Sequence, residues 1–343
     1  MTPHAGKKRE LRELATSVAL RLSGFLARRT GPGDPRRRRV VLVAAIALFV
    51  GGTILGVLNL PEVETEPRWE LLAVVLFLGV PATLALNAAE YQVTAAIAGF
   101  RVPFVPALRV GVLATAANLL PLPGAVLVKA YALRNLGSSY GMIAKSTGAV
   151  AVCFLGTTGV MAGAVLLAAG TPVAGGILTA AGVALLGLAL AMLVAECGAR
   201  RGPRLFLAAV ARVAGAIGVK AGRIYLILLA LGYEAGATQA LVLTLAAVLV
   251  TALGFFPAGL GVAEALAAVM SPLVGLSAAV GFVASAVDRL ISMVGLAVLA
   301  GGVLLFERRR DRAGSPPGEQ QSPSASDTEP ASALRGGPDS ARR

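Results

Sequence analysis

Charged and hydrogen-bonding side chains are scarce in this chain, so the few that interrupt its apolar stretches narrow the chemistry available to it. Thr83, Asn87, Glu90 and Thr94 recur at i, i+4, i+7 and i+11, which puts them on one face of an otherwise apolar helix. Such a stripe points into a bundle. Glu90 is then either a coupling or substrate contact or one end of an inter-helix hydrogen bond that fixes packing. Further along, Lys129 and Arg134 follow a segment broken by Pro and Gly, Glu264 follows a second one, and Asp288 and Arg289 lie in the last long apolar run. Arg289 would sit ~15–20 Å along that helix from its end, inside the bilayer. A charge there costs ~2.5–3.5 kcal/mol even on the lenient scale. It either pairs with Glu264 or faces a cavity as a bidentate ligand for lipid phosphate. Asp288 points about 100° away from it and is better placed to serve another helix.

What is missing matters equally. The single histidine, His4, belongs to the polar N-terminal stretch, and Cys153 and Cys197 have neither the number nor the spacing of a disulfide framework or a zinc site. No phosphate-binding-loop pattern occurs. The residues therefore argue against an enzyme, a metal or other cofactor, and direct use of ATP.

The elements that must position these groups follow from composition. With 343 residues, 56% hydrophobic, 14% charged and 41 glycines, and a mean hydropathy of +0.78, the chain reads as an all-α polytopic membrane protein. Residues 1–39 hold eleven Lys/Arg against three acids, so +8 of the formal +13 lies there. Leu11, Leu14, Val18, Leu22 and Phe25 have helical spacing within that stretch, giving an amphipathic helix on anionic lipid or a solvated basic tail. The positive-inside rule accounts for the charge without nucleic acid, and sets the N-terminus in the cytoplasm of a cell-membrane protein. Residues 40–60 form the first span, and the acidic loop with Glu62, Glu64, Glu66 and Glu70 falls outside.

Spans at 71–98, 146–169 and 172–195 follow. Over 205–233, Arg212, Lys220 and Arg223 interrupt the apolar pattern, which favours a surface helix feeding a short span with snorkelling cations, over Lys220 and Arg223 sharing one face inside the membrane. A final helix covers 277–306, and the Ser/Pro-rich remainder, 307–343, is expected to be a disordered cytoplasmic tail. Between the spans lie two broken stretches, 118–137 with Pro121, Pro123 and Gly124, and 252–277 with Pro257, Gly259 and Gly261. Each is expected to be a re-entrant hairpin, the first entering from the cytoplasm and the second from outside. The count is about six full spans plus two hairpins, or about eight helices taken as spans, arranged as an inverted repeat with a midplane site. The helix starting after Gly261 offers free N–H groups that suit a phosphate, and Glu264 in its first turn either satisfies the helix dipole or holds a cationic head group or proton. Lys129 and Arg134 would gather anionic lipid or anchor the cytoplasmic side.

Pro257-Ala258-Gly259-Leu260-Gly261-Val262-Ala263-Glu264, then Val274-Gly275-Leu276-Ser277, then Asp288-Arg289-Leu290, resembles the PGGLGxxE, GxS and RL signature of the lysylphosphatidylglycerol synthase transmembrane, or flippase-like, family. The resemblance extends over 40–306. Asn118-Leu119-Leu120-Pro121-Leu122-Pro123-Gly124 with Lys129 and Leu133 is similar to the family's first motif, although Ala125 stands where an acid is usual, Lys129 is displaced by about one position from the usual Arg, and Ala258 replaces a Gly. The resemblance implies a stand-alone member that moves, or helps move, a lipid with a charged head group between leaflets, whether a phospholipid or a polyprenyl-phosphate sugar. The alternative is a non-transporting scaffold or regulator for a glycosyltransferase or other envelope enzyme. A small-solute transporter stays open, because re-entrant hairpins serve those too.

Overall fold

The computed structural model describes residues 35–61, 66–118, 124–253 and 261–314. The expected amphipathic helix, Glu62, Glu64, and the hairpin residues Pro121, Pro123, Pro257 and Gly259 lie outside the described residues. Among those described, every regular element is helical: α1 (Pro35–Leu58), α2 (Trp69–Ile97), α3 (Phe104–Ala117), α4 (Gly124–Asn135), α5 (Tyr140–Ala168), α6 (Pro172–Cys197), α7 (Gly202–Ala230), α8 (Ala237–Leu253), α9 (Val262–Met270) and α10 (Ala278–Gly314). Five helices are long and apolar enough to cross a bilayer, namely α2, α5, α6, α7 and the Ala278–Gly302 part of α10. Large apolar side chains face outward as well as inward, among them Phe77, Val173, Ile177 and Val298. That distribution suits a hydrocarbon solvent.

The chain divides into two units, Met1–Gly301 and Gly302–Arg343. The first holds the bundle. In it the order long helix, two short helices, long helix occurs twice, as α2–α3–α4–α5 and as α7–α8–α9–α10. At 14 and 12 residues, then 17 and 9, the short helices are ~13–26 Å long, below the ~30 Å of hydrocarbon. The members of each short pair pack on one another. Their close approach fixes residue type, since a Cβ on Gly124 would stand 2.1 Å from the Ala117 carbonyl oxygen. Asn118 bridges the first break, its Oδ1 accepting from the Ala125 N–H at 3.0 Å and so capping the start of α4. The second break is closed by Gly261 at φ 77, a conformation that costs glycine little.

A single span, α6, separates the two sets, so α7 must run opposite to α2. Side-chain pairing agrees, because Thr83 of α2 meets Arg223 while Asn87, one turn later, meets Arg212, one of α7's earlier residues. This is the element order of an inverted repeat. α7 is the hub, packing on α2, α5, α6 and α8. On one side Val75, Ile224, Ile227, Leu243, Ala267 and Val280 share a core, and on another Ile97, Ala149, Cys153, Leu193 and Ala209 do. The α5–α6 contact is glycine-mediated. A Cβ at Gly159 would lie 3.2 Å from Gly182 Cα, and one at Gly163 only 2.2 Å from Thr179 Oγ1.

Three expectations need correction. α7 is one continuous helix of 29 residues, not a surface helix leading into a short span, and two of its cations, Arg212 and Arg223, are matched by carboxylates of other helices and have no need to snorkel. α5 begins at Tyr140, six residues before the expected 146, where Ser139 Oγ accepts from the Met142 N–H at 3.3 Å. The last helix continues past 306 to Gly314, so the tail is not irregular from 307 onward. Nothing between 307 and 313 breaks a helix, and the first glycine and proline come at Gly314 and Pro316.

Candidate functional site: a charged seam between α2 and α7

α2 is not a plain helix. Its Val75–Gly79 turn is π-helical, and Pro81 lies just beyond it. Proline has no N–H for the carbonyl four residues earlier, and widening the turn accommodates that missing bond. Gly79 in this turn leaves the space that the Arg223 side chain fills, since a Cβ there would lie 2.7 Å from Arg223 Cγ. Arg223 is therefore buried, with its side chain 5% exposed. It donates to Thr83 Oγ1 at 3.1 Å, to the Asp288 carbonyl at 3.2 Å and to Ser292 Oγ, and pairs with Asp288 Oδ1 at 2.6 Å. Asp288 and Ser292 are four apart on α10 and share its α7-facing side. The expectation that Asp288 serves another helix matches this pair.

Arg289, one residue round α10, turns to α9 and pairs through Nε with Glu264 Oε1. Of the two sequence readings for Arg289, the structure therefore displays the ion pair. Glu264 is fully buried, and among the described residues its Oε2 has no hydrogen-bond partner. Lys220, one turn before Arg223, is half-buried and lies within electrostatic range of Asp288, Arg223, Arg289 and Glu264.

Towards the other end of the seam, Glu90 is shared. Lys129 Nζ of α4 reaches its Oε1 at 2.5 Å, and Arg212 of α7 pairs with its Oε2. Arg212 also donates to the Leu86 carbonyl at 3.1 Å and to Asn87 Oδ1 at 3.0 Å, while Asn87 Nδ2 donates to Thr115 Oγ1 of α3 at 3.1 Å. The predicted stripe faces the bundle, with Thr94 buried and both Thr83 and Thr94 also bonding back to their own helix, at the Gly79 and Glu90 carbonyls.

Arg212 and Arg223 are eleven residues apart, three turns of α7 and ~16 Å along one face. The seam thus joins the first broken pair, through Lys129, to the second, through Glu264. Arg134 stays outside it. Its guanidinium finishes α4 by donating to the Ser138 carbonyl at 3.1 Å and lies over the Tyr140 ring at 5.0 Å. Gly124 and Gly261 act on backbone geometry as described. A separate apolar groove of about 400 Å³, lined by Gly218, Ala221, Gly222, Tyr225 and Leu241 among others, opens on the opposite side of α7. Among the described residues no group of three or more His, Cys, Asp or Glu could hold a metal.

Sequence reasoning did not assign Arg212 a partner, and it gave Arg223 a snorkelling role. Both were detectable in principle. Spacing of eleven on a helix returns to the same face, as the α2 stripe does over 83–94, and two matching polar faces of opposite character invite pairing.

No curated protein and no solved structure matches the chain. The family model of the lysylphosphatidylglycerol synthase TM region matches residues 194–300, which carry Arg212, Lys220, Arg223, Glu264, Asp288 and Arg289 but not Glu90 or Lys129. A lipid-related role at a membrane is the functional content of this match, and it supports the chain's membership of the lysylphosphatidylglycerol synthase TM region family.

Proposed function

We propose that the protein translocates, or assists in translocating, a lipid with a charged head group between leaflets. The observation that carries this reading is the seam itself, in which both broken pairs contribute a charged side chain to one row of polar groups along α2 and α7. Polar groups in hydrocarbon are retained where they serve a path or a partner, and matched interruptions in two halves are where transporter sites form. A head group would travel along the row while its chains stay in lipid. We place the protein in the cell membrane with both termini in the cytoplasm, because the basic residues of 1–39 and the Arg308–Arg310 cluster are best kept on that side.

Leaflet transfer of head-group-labelled phospholipids and polyprenyl-phosphate sugars, in vesicles containing the purified protein, tests this. The expected result is transfer of one lipid class, lost in an Arg289→Gln variant that remains folded by circular dichroism. A second reading, a scaffold for an envelope enzyme such as a glycosyltransferase, is favoured by the closed Arg289–Glu264 pair. It predicts no transfer of any lipid with a gradient supplied, and a neutralised Arg289 that leaves the partner enzyme's activity unchanged.

A further inference from the structure

We propose that Lys220 receives the head group, and that the head group is anionic, a phosphate or phosphodiester. This rests on the lipid-handling reading above and adds its charge and its contact residue. The seam holds five cations, Lys129, Arg212, Lys220, Arg223 and Arg289, against three carboxylates, Glu90, Glu264 and Asp288. The carboxylates are already engaged. Glu90 takes Lys129 and Arg212, Asp288 takes Arg223, and Glu264 takes Arg289. Among the described residues no carboxylate lies within ion-pair distance of Lys220 and no oxygen accepts a hydrogen bond from it, although four charged groups of the seam act on it.

Position makes this unusual. Lys220 is ten residues from the nearer end of α7, ~15 Å of helix, too deep for its four-carbon stem to snorkel out. An uncompensated ammonium at that depth costs ~2.5–3.5 kcal/mol. The side chain is only half-buried, so protein does not seal it. Among the described residues none pairs with its ammonium, and we assign that role to a ligand from outside the chain. A phosphate oxygen fills it and brings the seam nearer neutrality. A cationic head group would instead meet Lys220, Arg223 and Arg289 together, and Glu264, the obvious anion for it, is wholly enclosed and held by Arg289.

The test is equilibrium retention by the full-length protein in detergent, read by native mass spectrometry. The probes are dioleoyl-phosphatidylglycerol, a dioleoyl lipid with a trimethylammonium head and no phosphate, and dioleoylglycerol, each with and without excess inorganic phosphate. The wild type is expected to retain the phosphatidylglycerol alone. Lys220→Gln should retain it about tenfold less or worse, the loss of one charge-assisted bond, and Lys220→Arg should restore it. Lys220→Gln should also melt at the same temperature or higher, because it removes an uncompensated charge. Displacement by inorganic phosphate would make free phosphate the ligand and resistance to it would make it the lipid, and either supports the proposal. Equal retention by Lys220→Gln, preference for the cationic lipid, or a lowered melting temperature overturns it. Lipid transfer without Lys220-dependent retention overturns this inference alone. Retention without transfer overturns translocation and leaves an anionic-lipid site.

Discussion

The two ends of the seam use the same residue types in different surroundings. Around Asp288 the side chains are nearly sealed, with Arg223 at 5% and Asp288 at 8% exposure. Around Glu90 they are not, with Lys129 at 17%, Arg212 at 10% and Glu90 at 21%. A sealed pair depends wholly on its partner, since neither ion can recover solvation when the other leaves. A partly open cluster can exchange partners with water or a head group. On this contrast the Asp288 pair is expected to be the more important in holding the helices together, and the Glu90 cluster the more open to outside ions.

The largest expected effect comes from breaking the sealed pair. Asp288→Leu leaves Arg223 with no carboxylate, and removing one member of a buried pair costs ~3–5 kcal/mol. Thermal unfolding in detergent should show the greatest loss of any substitution in the seam. Replacing both members, Arg223→Met with Asp288→Leu, should recover most of that stability. If Asp288→Leu is mild, the end is wetter than its burial indicates and the comparison fails.

Glu90→Gln should cost less, ~1–2 kcal/mol, because Arg212 keeps the Leu86 carbonyl and Asn87 and because the site is open enough for outside anions to compensate. Added sulfate or phosphate should restore part of the melting temperature in this variant and none in Asp288→Leu. Equal salt rescue of both variants would erase the distinction between the two ends.

The sequence made one half of this seam easier to read than the other. The stripe Thr83, Asn87, Glu90 on α2 was legible because its background is uniformly apolar, so helical periodicity stood out. Asp288 was legible as a partner for another helix by angle alone. The α7 cations were not, because Arg212, Lys220 and Arg223 in an apolar run look alike whether they snorkel or pair, and the deciding carboxylates lie at Glu90 and Asp288, 122 positions before Arg212 and 65 after Arg223. The π turn at Val75–Gly79 was also hidden. Pro81 went unread in the sequence, and the space that Arg223 fills beside Gly79 is visible only once α7 is packed there. The two broken pairs were readable from Pro and Gly, whereas the Asn118 cap on α4 was not, since it joins residues seven positions apart in sequence.

The smallest effect should come from a pair outside the seam that looks similar on paper. Lys145 Nζ and Glu196 Oε1 are 2.9 Å apart, closing α5 against α6 near one end, with exposures of 38% and 27%. Those helices are already fixed by the close approach of Gly156, Gly159 and Gly163 to Gly175 and Gly182. The ion pair is therefore not needed to hold their spacing, and an exposed pair contributes only ~0.2–1 kcal/mol. A double-mutant cycle of Lys145→Gln and Glu196→Gln should give a coupling in that range that shrinks with added salt. A coupling as large as that of Arg223 with Asp288 would mean that exposure does not separate holding pairs from exchangeable ones. The Glu90 cluster would then have to be regarded as structural as well, leaving Lys220 as the one seam cation still placed to meet a head group.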